Sequence, residues 1–319
     1  MQWQMSCERI QKIFEKKEIK IDFLGASATE GEGLEDDNVA YPILWTDKIR
    51  NHFPSKHFRS RNLAQSGTFA THGLFAAEEY IKKNHTDIVF LEYALNDEIT
   101  PFSVDVYESL IRKLLGYSVV VIPIILPIKD YPYNGYYMIE IAKHYQLPYL
   151  DIGEKLRQEI EQKNMHWEDY AQDATHPNKQ GHAWIAEEIH TLFQEILYFK
   201  SEKNVDWFLP EKCYFKNTYE NLHVKIFDSA PSFPMELSIE CSNFWVVYRK
   251  HYDDRCGTLQ VSSDKGISVL LYGYSMFCWD YYFPEKIWQS DKKDTHNFRF
   301  KMLPQDEKKE FIIRAIGWC

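Results

Sequence analysis

The sequence has no excess of positive charge, no apolar run of bilayer length, no Cys-x-x-Cys pair and no internal repeat. Each absence removes a class of function. Lysine and arginine total 37 against 47 aspartates and glutamates, a formal net charge of −10. Nucleic acids are held through basic patches, so they are not expected partners, and an anionic membrane surface is disfavoured too. A spanning helix needs about 20 consecutive apolar residues, and none occurs. Residues 1–17 lack the apolar stretch of a signal peptide. They read as a short amphipathic helix with Ile10, Ile13 and Phe14 on one face, so a cytoplasmic location is expected. The six cysteines, Cys7, Cys213, Cys241, Cys256, Cys278 and Cys319, have no histidine at zinc-like spacing. No metal and no cofactor are expected, and scattered unpaired thiols are the favoured reading over disulfides.

What the chain has is enough apolar content for a large core, 45% over 319 residues, and a change of pattern near residue 200. Before it, β-prone runs alternate with helical periods. Strands are expected at 20–24, 57–63, 87–92, 119–125 and 148–151, with helices at 41–52, 73–83, 104–115, 136–145 and 180–197. The run from Val119 to Leu126 is apolar throughout, as a central parallel strand covered on both faces should be. Alternation of this kind implies an α/β fold with a parallel sheet between helical layers. Past the charged stretch 200–204 the helical period ends. Seven short β-prone runs follow, at 223–227, 235–241, 244–249, 258–261, 267–272, 297–302 and 311–316, punctuated by Gly, Pro, Asn and Asp. Two domains are therefore expected, residues 1–200 as α/β and 205–319 as an all-β domain, sandwich or jelly-roll in type.

Four segments of the first domain carry chemistry. Ser27 lies in Gly25-Ala26-Ser27-Ala28-Thr29-Glu30-Gly31, a small-residue turn at the end of the first strand. Open α/β sheets place their ligands at that edge, and an uncrowded serine there can act as a nucleophile if a base and an oxyanion hole are supplied. Gly67 closes Asn62-Leu63-Ala64-Gln65-Ser66-Gly67 after the second strand, where a glycine N–H can approach a ligand closely. Asn96, in Ala94-Leu95-Asn96-Asp97 after the third strand, offers a neutral amide donor suited to a developing oxyanion. In Asp173-Ala174-Thr175-His176-Pro177, ahead of the last helix, a carboxylate three residues before a histidine can orient its ring. Each segment also has an ordinary reading as a turn or a helix start, with Thr175 or Asn178 as the cap.

In their order and approximate spacing these four segments resemble the SGNH (GDSL-type) hydrolase family over roughly the first 200 residues. The resemblance implies a flavodoxin-like three-layer sandwich with Ser27 as nucleophile, His176 as general base and Asp173 as its orienting carboxylate. It further implies an oxyanion hole made by the Ser27 and Gly67 N–H groups and the Asn96 side chain. Two positions depart from the family pattern. Ala26 replaces an acidic residue and Ala94 a glycine, changes expected to reshape the mouth of the pocket.

The expected activity is that of a serine ester hydrolase. A β-domain beside such a hydrolase resembles carbohydrate esterases, so short acyl groups, O-acetyl above all, on a glycan or small-molecule ester are the expected substrate. A carbohydrate O-acetyltransferase would use the same residues and differ in its acceptor. An inactive binding or scaffolding protein would keep the fold without reacting with a fluorophosphonate. The second domain is dense in aromatics: Trp245, Tyr248, Tyr272, Tyr274, Phe277, Trp279, Tyr281, Tyr282, Phe283 and Trp288. Most are expected in its core. Strict alternation cannot bury the whole run from Met276 to Phe283, so some should line a domain interface or a glycan-contacting rim.

Overall fold

The computed structural model of the chain describes residues 3–131, 135–200, 209–214, 219–276 and 278–319, and for Trp279 the backbone alone. The boundary expected at 200–204 lies, beyond Lys200, outside the described residues. The chain divides into two compact units, Met1–Glu220 and Asn221–Cys319.

The first unit is built on five parallel strands: β1 (Glu18–Leu24), β2 (His57–Asn62), β3 (Ile88–Leu91), β4 (Val120–Ile125) and β5 (Leu150–Asp151). Their order in the sheet is β2-β1-β3-β4-β5, so β1 lies between β2 and β3. Every residue of β3 and β4 is buried, as expected for strands covered on both faces. Edge strand β2 is largely solvated.

On one face pack α1 (Gln4–Ile13), α3 (Tyr41–His52) and α10 (Lys179–Tyr198). The α1 stripe of Ile10 and Ile13 joins this core, as the period of residues 1–17 requires. Its centre is aromatic: Phe23 of β1 stacks on Phe90 of β3 at 4.7 Å, and Trp45 meets Phe90 edge-on at 4.8 Å. Further helical elements are α4 (Ala70–Ala76), which runs through a π turn (Ala77–Ile81) into α5 (Lys82–Asn84), then α6 (Pro101–Gly116) and α7 (Tyr136–His144). Of these, α4 and α7 both pack on α6. A helix absent from the sequence reading, α8 (Ile152–Glu161), follows β5 directly. Its Ile152, Leu156 and Ile160 recur at four-residue spacing, with the first two buried, and Asp151 caps it by accepting the Glu154 N–H at 2.9 Å.

The second unit is all-β, as expected, although its strands pair into a single sheet where a sandwich or jelly roll would have two. Its strands β6 (His223–Ile226), β7 (Met235–His251), β8 (Thr258–Ser263), β9 (Ser268–Tyr272), β10 (Trp279–Met302) and β11 (Ile313–Trp318) form one antiparallel sheet in the order β6-β11-β7-β10-β8-β9. Two of the expected runs, 235–241 and 244–249, fuse into β7. The first half of β10 escaped the pattern because the pairing with β7 shifts register between Lys286 and Trp288 and between Gln289 and Asp294. Each irregularity breaks the in-out alternation by which a strand is recognised. Phe244 and Phe298 stack at 4.1 Å in the core, near Tyr248 and Phe311.

Trp245 and Tyr248 are buried, whereas Tyr272 is 57% exposed and Tyr281, Tyr282, Phe283 and Trp288 are half-buried. The aromatic run is thus not wholly consumed by the core. Phe277 lies outside the described residues. Among the described residues no disulfide joins the cysteines, and Cys7, Cys241 and Cys256 are buried. Among the described residues no helix is long and apolar enough to cross a membrane.

Candidate active site

The end of β1 passes through Gly25 and Ala26 into a single helical turn, α2 (Ser27–Glu30). Gly25 is required by close approach: a Cβ there would sit 2.3 Å from Thr29 Oγ1 and 2.9 Å from the Glu92 carbonyl oxygen. The strand end can therefore lie flat against both the α2 turn and the end of β3. Ser27 emerges from it half-buried.

The Asp173–His176 loop is shaped by the aspartate itself. Asp173 Oδ1 accepts the N–H groups of Thr175 and His176, both at 2.7 Å. This is an Asx-type turn in which the side chain replaces a backbone acceptor. Trp167 Nε1 donates to the Asp173 carbonyl at 2.8 Å, and the Lys129 N–H to that of Ala174 at 2.9 Å, which pins the loop from outside. Asn178 is the cap of α10, accepting the Gly181 N–H at 2.9 Å, so of the two expected caps it is the one used.

With one oxygen spent on the turn, Asp173 Oδ2 faces the His176 ring at 2.8 Å from Nδ1. A carboxylate only accepts, so Nδ1 carries the proton and Nε2 is left with its lone pair. That nitrogen lies 3.0 Å from Ser27 Oγ and accepts its hydrogen. Slight burial of Asp173 raises its pKa. The His176 N–H, the His176 ring and the Thr175 N–H outweigh this and hold it at about 2, so the carboxylate is ionised at any working pH. The His176 side chain is 26% exposed and that of Asp173 50%, which makes this an open site.

Gly67 and Asn96 sit on the turns that follow β2 and β3, the two neighbours of β1. Gly67 has φ 71°, a left-handed conformation that glycine adopts without strain. Its segment is tied to the nucleophile turn by three bonds: Gln65 N–H to the Gly25 carbonyl at 3.1 Å, Asn62 Nδ2 to the Thr29 carbonyl at 2.8 Å and Ser66 N–H to Glu30 Oε2 at 2.7 Å. The Asn96 N–H turns back to the Tyr93 carbonyl at 3.2 Å, and its side chain is half-buried. The structure therefore links Ser27, His176 and Asp173 by direct hydrogen bonds. It carries Gly67 and Asn96 on flanking turns at the same sheet edge. Ala26 and Ala94 are both fully buried, so they lie behind the turns and do not form the mouth of a pocket as expected from the family pattern.

A model of the GDSL-like lipase/acylhydrolase family matches residues 23–184, a span that takes in all five of these positions. The chain belongs to that family. Two solved structures of a two-domain esterase (CEX) active on acetylated mannans, one of them co-crystallised with mannopentaose, are similar to this acylhydrolase. Each shares 20% identity over 97% of this chain and 94% of its own, with TM-scores of 0.79 and 0.76, a likeness of fold. No curated protein matches the sequence.

The sequence reading did not assign a layer of buried ionisable groups behind the site of this acylhydrolase. Glu92 is fully buried at the end of β3 and Asp97 nearly so. Burial lifts Asp97 to about 7, aided by the nearby Glu92 charge, although the Ala70 N–H and the Tyr137 hydroxyl favour its ionised form. His72, beside the Tyr93 hydroxyl, and His182, which accepts the Tyr41 N–H, are both pushed down to about 4 by burial. Nothing local distinguishes these residues in the sequence, because burial is decided by helices far along the chain.

These shifts carry signs. A carboxyl raised to about 7 is protonated in the native state and ionised in the unfolded chain between roughly pH 4 and 7. Its contribution is full below its unfolded value and is lost as pH rises through 7. The lowered histidines act oppositely, contributing above about pH 6.5 and losing that as pH falls through 4. Above pH 6.5 the histidine contribution is constant, so only the carboxyls still change stability, up to about pH 7. Asp97→Asn, which mimics the protonated acid, is expected to gain stability relative to wild type between pH 5 and pH 8. The gain is on the order of a few kcal/mol. Thermal melts of both proteins at the two pH values measure it. An identical offset at both would show that Asp97 does not titrate with folding.

Proposed function

We propose that the protein is a serine ester hydrolase that removes short acyl groups, acetyl foremost, from carbohydrate. The observation that carries this reading is the unbroken chain from Ser27 Oγ through His176 Nε2 and Nδ1 to Asp173 Oδ2 at 3.0 and 2.8 Å. In it Ser27 gives its proton to His176 as it attacks the ester carbonyl. The oxyanion of the tetrahedral intermediate accepts hydrogen bonds from the Ser27 and Gly67 N–H groups and the Asn96 amide. His176 then protonates the departing alcohol. Water, deprotonated by the same nitrogen, releases the acid from the acyl-enzyme. Asp173, held ionised, keeps the ring in the one tautomer that can accept from serine and steadies its cationic form.

The glycan reading draws on two supports. The solved two-domain esterase with the same fold is described as active on acetylated mannans. The triad is also open, with the His176 side chain 26% and the Asp173 side chain 50% exposed. A partly exposed serine suits an acetyl group projecting from a polymer better than a long acyl chain that needs enclosure. Chromogenic acetate, butyrate and octanoate esters, followed by acetate release from acetylated mannan and xylan, test the reading. The acetate ester is expected to be preferred over octanoate by roughly tenfold or more in kcat/KM, since each surplus methylene must find a place. Preference for octanoate, or no acetate released from any acetylated polysaccharide, would overturn it.

A further inference from the structure

We propose that Glu92 is a positioning residue: its buried carboxyl braces the turn bearing Ser27 against the turn bearing Asn96, and so sets the geometry of the oxyanion hole. The inference rests on the roles proposed above for Ser27 and Asn96. Glu92 is the first residue beyond β3, and its N–H donates to the Leu24 carbonyl at 2.9 Å, so its backbone already joins the ends of β1 and β3. The side chain turns inward and is fully buried. Thr29, on the nucleophile turn, donates its hydroxyl to Glu92 Oε2 at 3.2 Å. Thr29 is itself fixed by the Tyr41 hydroxyl at 2.8 Å and through its carbonyl by Asn62 Nδ2.

Burial disfavours the charged form of the Glu92 carboxyl overall, against the pull of nearby donors. After the Thr29 hydroxyl, the backbone N–H groups of Leu95, Ala26 and Ala94 act on it, opposing the larger effect of burial, which raises it to about 7. Ala26 immediately precedes Ser27, and Leu95 immediately precedes Asn96. Glu92 itself begins the turn that carries Asn96, so its bond from the Thr29 hydroxyl ties that turn to the one carrying Ser27. The other ionisable groups around it are Asp97, Tyr41, Tyr93, Tyr107 and Tyr170, all of which feel its charge.

The energetics argue against a purely structural role. A carboxyl buried among aromatic side chains costs stability unless it is fully satisfied, and an apolar side chain of similar volume would fill the space at less cost. Glu92 Oε1 has no partner meeting hydrogen-bond geometry, so the group is not there as a well-paired stabilising element. What it supplies is an acceptor that reaches from the turn bearing Asn96 to the turn bearing Ser27. A displacement of an ångström or less in either turn would misplace a donor relative to an oxyanion that exists only in the transition state.

Glu92→Gln keeps the volume but removes the charge and replaces one acceptor oxygen beside the Thr29 hydroxyl with an NH₂ group. Steady-state kinetics on an aryl acetate should show kcat reduced roughly 10- to 100-fold with KM within about twofold. In an Asn96→Ala background the same change should cost less than about threefold, because the donor it positions is already gone. Wild-type kcat, or an equal loss in both backgrounds, would overturn the proposal; the latter is the signature of general destabilisation. Should Glu92→Gln fail to fold, Thr29→Ala, which removes the hydroxyl donor to Glu92, must show the same smaller loss in the Asn96→Ala background, and additive losses would overturn it equally. Ser27→Ala is measured alongside. If that variant keeps wild-type turnover, the site assignment fails and the brace with it; if it is inactive, the outcome judges Glu92 alone.

Discussion

Ser27→Ala is expected to lose on the order of 10⁴-fold or more in kcat towards aryl acetates, because the acyl-enzyme can no longer form. What remains is hydrolysis by water in a site that still orients the ester. The fold should be unaffected. Ser27 is half-buried on a one-turn helix, and its hydroxyl bonds His176. Removing one such hydrogen bond at a partly solvated position changes stability by about 1 kcal/mol or less. Steady-state rates, a melting curve and the intact mass after fluorophosphonate treatment measure the three consequences together. The expected result is an inert, unlabelled protein with a wild-type melt. Residual activity above a few per cent of wild type, or continued labelling, would move the nucleophile elsewhere.

Asn96→Ala is expected to cost roughly 10²–10³ in kcat, the usual consequence of removing one oxyanion donor. KM should hardly change, since a ground-state carbonyl binds the amide weakly and the full benefit appears only as the oxygen becomes charged. The local backbone does not depend on the side chain: the Asn96 and Asp97 N–H groups both return to the Tyr93 carbonyl, at 3.2 and 3.0 Å. Labelling of Ser27 should persist at a reduced rate in this variant, which separates loss of the hole from loss of the nucleophile. A fall of less than tenfold would remove Asn96 from the hole and leave the two N–H groups as its donors.

Much of the site was legible because it is written locally. Ser27, Gly67 and Asn96 each lie just past a β-prone run, and parallel strands in one sheet deliver their C-terminal ends to one edge. Asp173 and His176 are close in sequence, and the turn that joins them is made by Asp173 alone. The second domain was legible in kind, since its β-prone runs lack a helical period. The length of β10 was not, because its register shifts against β7 depend on which residues face it across the sheet. Helix α8 does carry a helical period, Ile152, Leu156 and Ile160 at four-residue spacing in an otherwise polar segment.

By itself, then, the sequence determined the alternation of elements, the parallel sheet, the change to all-β structure and the residues able to act at the sheet edge. These follow from side-chain periodicity and turn chemistry within a few residues. Only the tertiary structure decided which polar groups lose water. Glu92, Asp97 and His182 have unremarkable local surroundings, and they become a buried, shifted layer because distant parts of the chain pack around them. Burial is a property of the whole packed chain, and a carboxyl acquires its pKa and its reach across two turns only when distant helices have excluded the solvent.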